Sequence, residues 1–151
     1  MLNGNTVGQG ATLVEQVAPG LFAANANGQG VAAAVAIRVK ADGTQTTEPI
    51  LQLNPTTKQF DPLPLTLGNP TDQVFLVAFG TGFRNRSSQS NVTATIGGAN
   101  ATVSYSGAQP NFLGLDQANI LIPSSRAGTG NADIILTVDG KPANPVTINL
   151  Q

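Results

Sequence analysis

The sequence predicts an all-β fold, an Ig-like antiparallel β-sandwich with an extended N-terminal arm, and three observations carry that expectation. Apolar residues recur mainly at every second position in short runs divided by Gly, Pro, Asn and Asp, the pattern of strands rather than amphipathic helices. Seventeen glycines and ten prolines in 151 residues supply the turns that many short strands need. No repeat of fixed period appears, which favours a sandwich over a propeller.

Residues 1–10 (MLNGNTVGQG) are Gly- and Asn-rich and read as a flexible arm, leaving 11–151 as a single sandwich domain. Thr12–Val17 has the pattern of a first strand. In Gly20–Gly30, Leu21 and Phe22 are placed to pin the loop to the sandwich edge, whereas the AANANGQG that follows has little reason to order. The alanines of Val31–Lys40 favour helix, but Val31, Val35, Ile37 and Val39 are β-branched. Asp42-Gly43 then gives a hairpin turn toward Thr44–Leu53, so Ala32–Val39 and Pro49–Leu53 are expected as strands.

Leu63–Leu67 is a weaker strand. Val74–Phe79 (VFLVAF) is apolar on both faces and is expected at the centre of the core, with Phe60, Phe75 and Phe79 inside. Val92–Ile96 alternates cleanly, and Gly97-Gly98 turns it into Ala101–Tyr105 as a hairpin. Ala118–Ile122 adds a strand. Ile134, Leu136 and Val138 lead into Asp139-Gly140, a pair that tolerates positive φ, and Val146, Ile148 and Leu150 alternate on the return. Pro142 and Pro145 make that connection longer than a minimal turn.

Composition narrows the function classes. Only 10% of residues are charged, against about 25% in an average soluble domain, so Asn, Gln, Ser, Thr and Gly must build the surface. A net charge of −1 gives no field for nucleic acid or anionic membrane. The apolar run Val31–Ile37 is far shorter than the roughly 20 residues of a membrane span. Histidine and cysteine are absent, which removes the commonest general base, thiol nucleophiles and the usual zinc ligands. No enzyme activity and no cofactor are expected. Met1–Gly10 has neither the basic start nor the apolar run of a signal peptide, so an exported protein is expected to be a mature fragment.

Seven phrases in order along the chain point to a family: APGLF at Ala18–Phe22, DG and EP at Asp42-Gly43 and Glu48-Pro49, FGTGFR at Phe79–Arg84, IGG at Ile96–Gly98, GLDQAN at Gly114–Asn119, IP at Ile122-Pro123 and LTVDGKPAN at Leu136–Asn144. Over about Thr12–Leu150 the chain resembles the uncharacterised C-terminal domain family of Solibacter-type acidobacterial secreted proteins. The resemblance implies an appended extracellular β module in the style of Ig-like and IPT-like domains, with no activity assigned.

The glycines and cations of Phe79–Ser88 (FGTGFRNRSS) could approach an anion, but the lysine and spacing of a P-loop are missing, so a turn with an arginine paired to a carboxylate is expected. Asp116 lacks a second carboxylate for acid/base work and is expected to bond loop backbone or to meet Arg84. The eight acidic residues are too scattered for a calcium loop. Lys40, Lys58 and Lys141 are the only amines for an intramolecular isopeptide bond, and surface lysines are the expected outcome.

Three functions follow as expectations. The first is a non-catalytic structural or interaction module of a secreted or cell-surface bacterial protein, contacting neighbouring domains or identical subunits. The second is self-assembly, with Thr12, Leu13, Val14 and Val17 added as a strand to a neighbour's sheet edge. The third is glycan or polymer binding through the loops Phe79–Ser90 and Gly107–Leu115, with Phe83, Arg86 and Phe112 as contacts. One tyrosine and no tryptophan make a poor sugar-stacking platform.

Overall fold

A computed structural model describes residues 10–151. The arm expected over 1–10 lies outside these residues except for Gly10. In chain order the described strands are β1 (Gly20–Leu21), β2 (Ala34–Val39), β3 (Gln45–Pro49), β4 (Leu51–Leu53), β5 (Phe60–Pro62), β6 (Gln73–Thr81) and β7 (Val92–Ile96). They continue with β8 (Ala99–Ala101), β9 (Val103–Ala108), β10 (Asp116–Leu121), β11 (Gly130–Val138), β12 (Lys141–Pro142) and β13 (Val146–Leu150).

Two antiparallel sheets pack face to face. The larger runs β3-β2-β6-β10-β9, with β1 continuing beside β6. The smaller runs β12-β11-β7-β8, with β13 also on β11, and β4 with β5 forms a separate ribbon. The fold is an all-β antiparallel sandwich, and a single buried cluster joins both sheets.

The two inner faces are complementary in size. Ala34, Ala36, Ala78 and Ala118 line the larger sheet, and Ile96, Ile134, Leu136 and Ile148 of the smaller sheet fill the space opposite. This explains the alanine run that also suits a helix: β2 alternates buried and half-buried, so its alanines are the small partners of bulky side chains. β6 is central as expected, but it splits by face. Val74, Leu76, Ala78 and Gly80 point into the core, whereas Phe75 and Phe79 point outward and are half-buried. Phe60 is likewise half-buried, which corrects the expectation of three core phenylalanines.

Other boundaries move for physical reasons. The Gly97-Gly98 hairpin forms, but its return strand β8 is only three residues long. After Thr102 the chain crosses to the larger sheet as β9 and pairs with β10. Pro49–Leu53 breaks at Ile50, whose side chain is fully buried, so β3 stays on β2 while β4 turns to β5. Leu63–Leu67 forms no strand beyond a bridge from Leu65 to Leu150. The Asp139-Gly140 turn forms with both residues at positive φ, 49° and 78°.

Thr12–Val17 is not a strand. Leu13 and Val14 are 82% and 87% exposed, and only Val17 is buried. Main-chain bonding begins later, at Ala18 N donating to Gly82 O (2.9 Å). The AANANGQG segment, by contrast, is held. Asn25 Nδ2 donates to Phe60 O (3.0 Å) and its Oδ1 accepts from Phe60 N (2.7 Å). Asn144 similarly serves both backbone groups of Leu21, at 2.9 Å each, and donates to Gly28 O (2.7 Å). A carboxamide carries one donor and one acceptor side, so it substitutes for a peptide unit where no strand is available. That use of amides is how a chain with few charges satisfies its loops.

Candidate functional site

The residues singled out from the sequence converge on one end of the sandwich, where β6 ends and β10 begins. The glycines of FGTGFR serve packing there. A Cβ on Gly80 would lie 2.2 Å from Gly20 O and 2.9 Å from the Phe83 ring, and one on Gly82 (φ +81°) would lie 2.0 Å from Ala18 O. Close approach of β1 and of the N-terminal segment therefore requires both glycines. Phe83, expected as an exposed loop contact, is fully buried and closes the core beneath them, a burial that stabilises by about 2–3 kcal/mol.

Asp116 and Arg84 meet as expected. β10 alternates inward at Asp116, Ala118 and Ile120, so the carboxylate enters the core rather than lying in a loop. It accepts from Phe83 N (2.8 Å), Arg84 N (3.1 Å) and Arg84 Nε (2.5 Å), while Arg84 Nη2 donates to Leu115 O (2.9 Å). One buried carboxylate thus fixes the turn after β6 to the start of β10. All three of these bonds to Asp116 come from the turn after β6.

The neighbouring loop is built locally. Gln109 Oε1 accepts from Asn111 N (2.6 Å) and Phe112 N (2.8 Å), and Gln109 N donates to Leu115 O (2.8 Å). These bonds hold up Phe112 and Leu113, which are 64% and 106% exposed. The N-terminal segment reaches the same end through Gln16 Nε2 to Asn85 O (3.0 Å) and the Glu15–Lys141 ion pair (2.6 Å). Lys40 and Lys58 are exposed, and Lys141 is accounted for by that pair.

Arg86 is half-buried instead of open: Nη1 lies 3.2 Å from where a Gly107 Cβ would stand, beside the Tyr105 hydroxyl. Arg86 Nε and Ser106 Oγ are buried without a protein hydrogen-bond partner among the described residues. Asp139 secures the next turn, accepting from Ser87 Oγ (2.5 Å) and Ser87 N (2.9 Å). The Ser87 hydroxyl bond holds its carboxyl below the usual range.

At the opposite end sits a cluster that sequence reasoning missed. Arg38 faces inward from β2 and donates through Nε and Nη2 to Glu48 (2.6 and 3.0 Å), and through Nη1 and Nη2 to Leu67 O and Thr66 O (2.7 Å each). Asp72 adds a carboxylate at 3.6 Å. Glu48 is held below its ordinary pKa by the Arg38 bonds, and Arg38 is raised by the same contact. The available signal was positional: Arg38 shares the strand phase of Ala34 and Ala36.

Among the described residues no three acidic groups lie close enough to hold a metal ion, and no helix is long and apolar enough to cross a membrane. What the fold and these ends define is a β-sandwich whose buried charges serve structure. Comparison with protein-family models, curated proteins and solved structures finds no match.

Proposed function

We propose that the chain is a non-catalytic structural or interaction module of a secreted or cell-surface bacterial protein, as its resemblance to the acidobacterial C-terminal domains implies. The observation that carries the reading is the loop end. There Asp116, the one buried acid among the described residues, is bonded by Arg84 and two backbone amides, while the hydrogen-bonded Gln109–Leu115 loop offers apolar Phe112 and Leu113 to a partner. Exposed apolar anchors suit protein contact.

The test is retention of a partner from the bacterial envelope by immobilised chain, compared with the double variant Phe112→Ser, Leu113→Ser. Loss of retention at unchanged melting temperature supports the reading. Equal retention by both, or turnover of chromogenic ester, phosphate or glycoside substrates, overturns it.

Strand addition to a neighbour's sheet edge is the second reading, favoured by Leu13 and Val14 standing exposed on an unpaired stretch. β3 is the receiving edge that fits, because its outward backbone groups fall at Gln45 and Thr47 before Pro49 removes a donor. Light scattering on the full chain and on a chain lacking residues 1–14 tests it; a monomeric mass for both sinks the idea.

A further inference from the structure

We infer that the outer face of the six-stranded sheet is a docking surface for a second copy of this chain. The inference deepens the interaction-module reading and rests on it.

Register puts Val35 opposite Val77 and Ile37 opposite Phe75 on that face, with Val39 and Phe79 extending it along the same two strands. Each shields the next, so Val77 is only 5% exposed although it points away from the core, and the other five are half-buried. A shallow depression of about 200 Å³ lies among Ile37, Val39, Phe75, Val77, Ser104 and Asn119. No described segment covers it.

The smaller sheet keeps the opposite rule. Its outer face carries Thr93, Thr95, Thr137, Thr147 and Asn149, with Ile135 as the apolar exception at 38% exposure. A sheet with one wet side normally alternates apolar-in and polar-out. The smaller sheet obeys and the larger one does not, so its outer side is built to be covered.

Three features make the occupant a second copy. First, no outward position of β3, β2, β6 or β10 is charged; the flanking residues are Gln45, Thr47, Gln73 and Asn119. A two-fold contact brings each group against the same set, and a neutral face meets no like charge while its amides donate and accept reciprocally. Across these four strands a charged partner or an anionic lipid surface would find nothing to pair with, and Arg86 stands at the β9 margin, beside Gly107.

Second, size suffices. Five strands about 4.8 Å apart, five to nine residues long at about 3.3 Å per residue, cover about 24 by 21 Å. A face-to-face pair then buries about 1,000 Å², at the lower limit of a specific interface, which predicts a weak, reversible dimer.

Third, the edges are largely closed to strand addition. Gln89 lies along β9, donating to Val103 O (3.0 Å) and accepting from Ser106 N (3.1 Å), and the Tyr105 hydroxyl caps Ala108 O (2.6 Å). The outer edge of β13 is bonded to Gly30, Ala32 and Leu65. The edges of β3 and β8 that stay open are short, five and three residues, so the broad face is the larger surface left for association.

Sedimentation equilibrium on the full chain from about 5 to about 500 µM tests this, spanning the affinities expected of a small interface. The mass should rise from 15.4 kDa toward twice that value. Ile37→Arg should weaken association at least about tenfold, because two-fold symmetry sets the new charges against each other. Ile135→Arg on the opposite face should leave it unchanged. If Ile37→Arg fails to fold by circular dichroism, Val39→Lys near the end of β2 takes its place.

A monomeric wild type throughout, or a dimer that survives a folded Ile37→Arg or Val39→Lys, overturns the inference. So does a dimer lost on removal of residues 1–14 yet kept by the face variants, which assigns assembly to the arm. A monomer that still captures a partner through Phe112 and Leu113 ends this inference and leaves the module reading standing. Substrate turnover would end that reading instead.

Discussion

The two ends of the sandwich are each closed by an arginine bonded to carboxylate, but the two contacts are built in opposite senses. Where β6 ends, the acid is inside: the Asp116 side chain is 1% exposed and Arg84, 35% exposed, reaches in from the rim. Where β6 begins, the base is inside: the Arg38 side chain is 9% exposed, and Glu48 and Asp72 sit nearer water at 30% and 13%. The cost of breaking such a contact depends on what is left behind in the core, so these ends should respond differently to equivalent changes.

The largest effect is expected from Asp116→Ala. Phe83 N and Arg84 N lose their acceptor beside a buried ring, and stability should fall by about 3 kcal/mol in urea titrations. A loss under about 1 kcal/mol would show that water replaces the carboxylate and that the buried acid is not needed there. Arg38→Met should cost less, about 2 kcal/mol, because Glu48 and Asp72 rehydrate while the methionine fills the space of the stem. If the Arg38 variant proves the worse of the two, the comparison is inverted.

Gly82→Ala places a Cβ 2.0 Å from Ala18 O at φ +81°, so about 1–2 kcal/mol of strain should fall on the N-terminal segment. Hydrogen exchange at the Ala18 amide, which donates to Gly82 O, should accelerate more than exchange in β11. Uniform acceleration would mean that the segment and the core open together.

The smallest effect is electrostatic and marks the Arg38 end. Bonding to Arg38 depresses the Glu48 pKa in the folded state, so this contact stabilises the fold fully above the ordinary carboxylate pKa. That contribution is lost as pH falls through the depressed folded value. Urea midpoints should therefore decline from pH 6 to pH 3 more steeply in the wild type than in Glu48→Gln. Parallel curves would remove Glu48 as a source of acid sensitivity.

Legibility followed the same division. Arg84 and Asp116 could be paired from the sequence because an arginine beside a glycine turn and a lone acid among amides each lack a local partner. Arg38 could not, since its partners come from β3 and from the Thr66–Asp72 loop, and only strand register brings them together. Phe83 and Phe79 exchanged their expected places for a similar reason. Alternation gives the spacing of a strand's two faces but not which face is covered, and β6 is apolar on both.

By itself the sequence determined the all-β class, the central place of Val74–Phe79 and the turns at Asp42-Gly43, Gly97-Gly98 and Asp139-Gly140, and it left Asp116 with backbone amides or Arg84 as alternative partners, both of which it meets. The class and the turns follow from period-two patterning and positive-φ residues, which are short-range. Tertiary structure alone decided the crossing from β8 to β9, the exposure of Leu13 and Val14, the amide bonds of Asn25, Gln89 and Asn144, and the uncovered apolar side of the larger sheet. Each of those depends on which distant segment lies alongside, and no local pattern of residues encodes that.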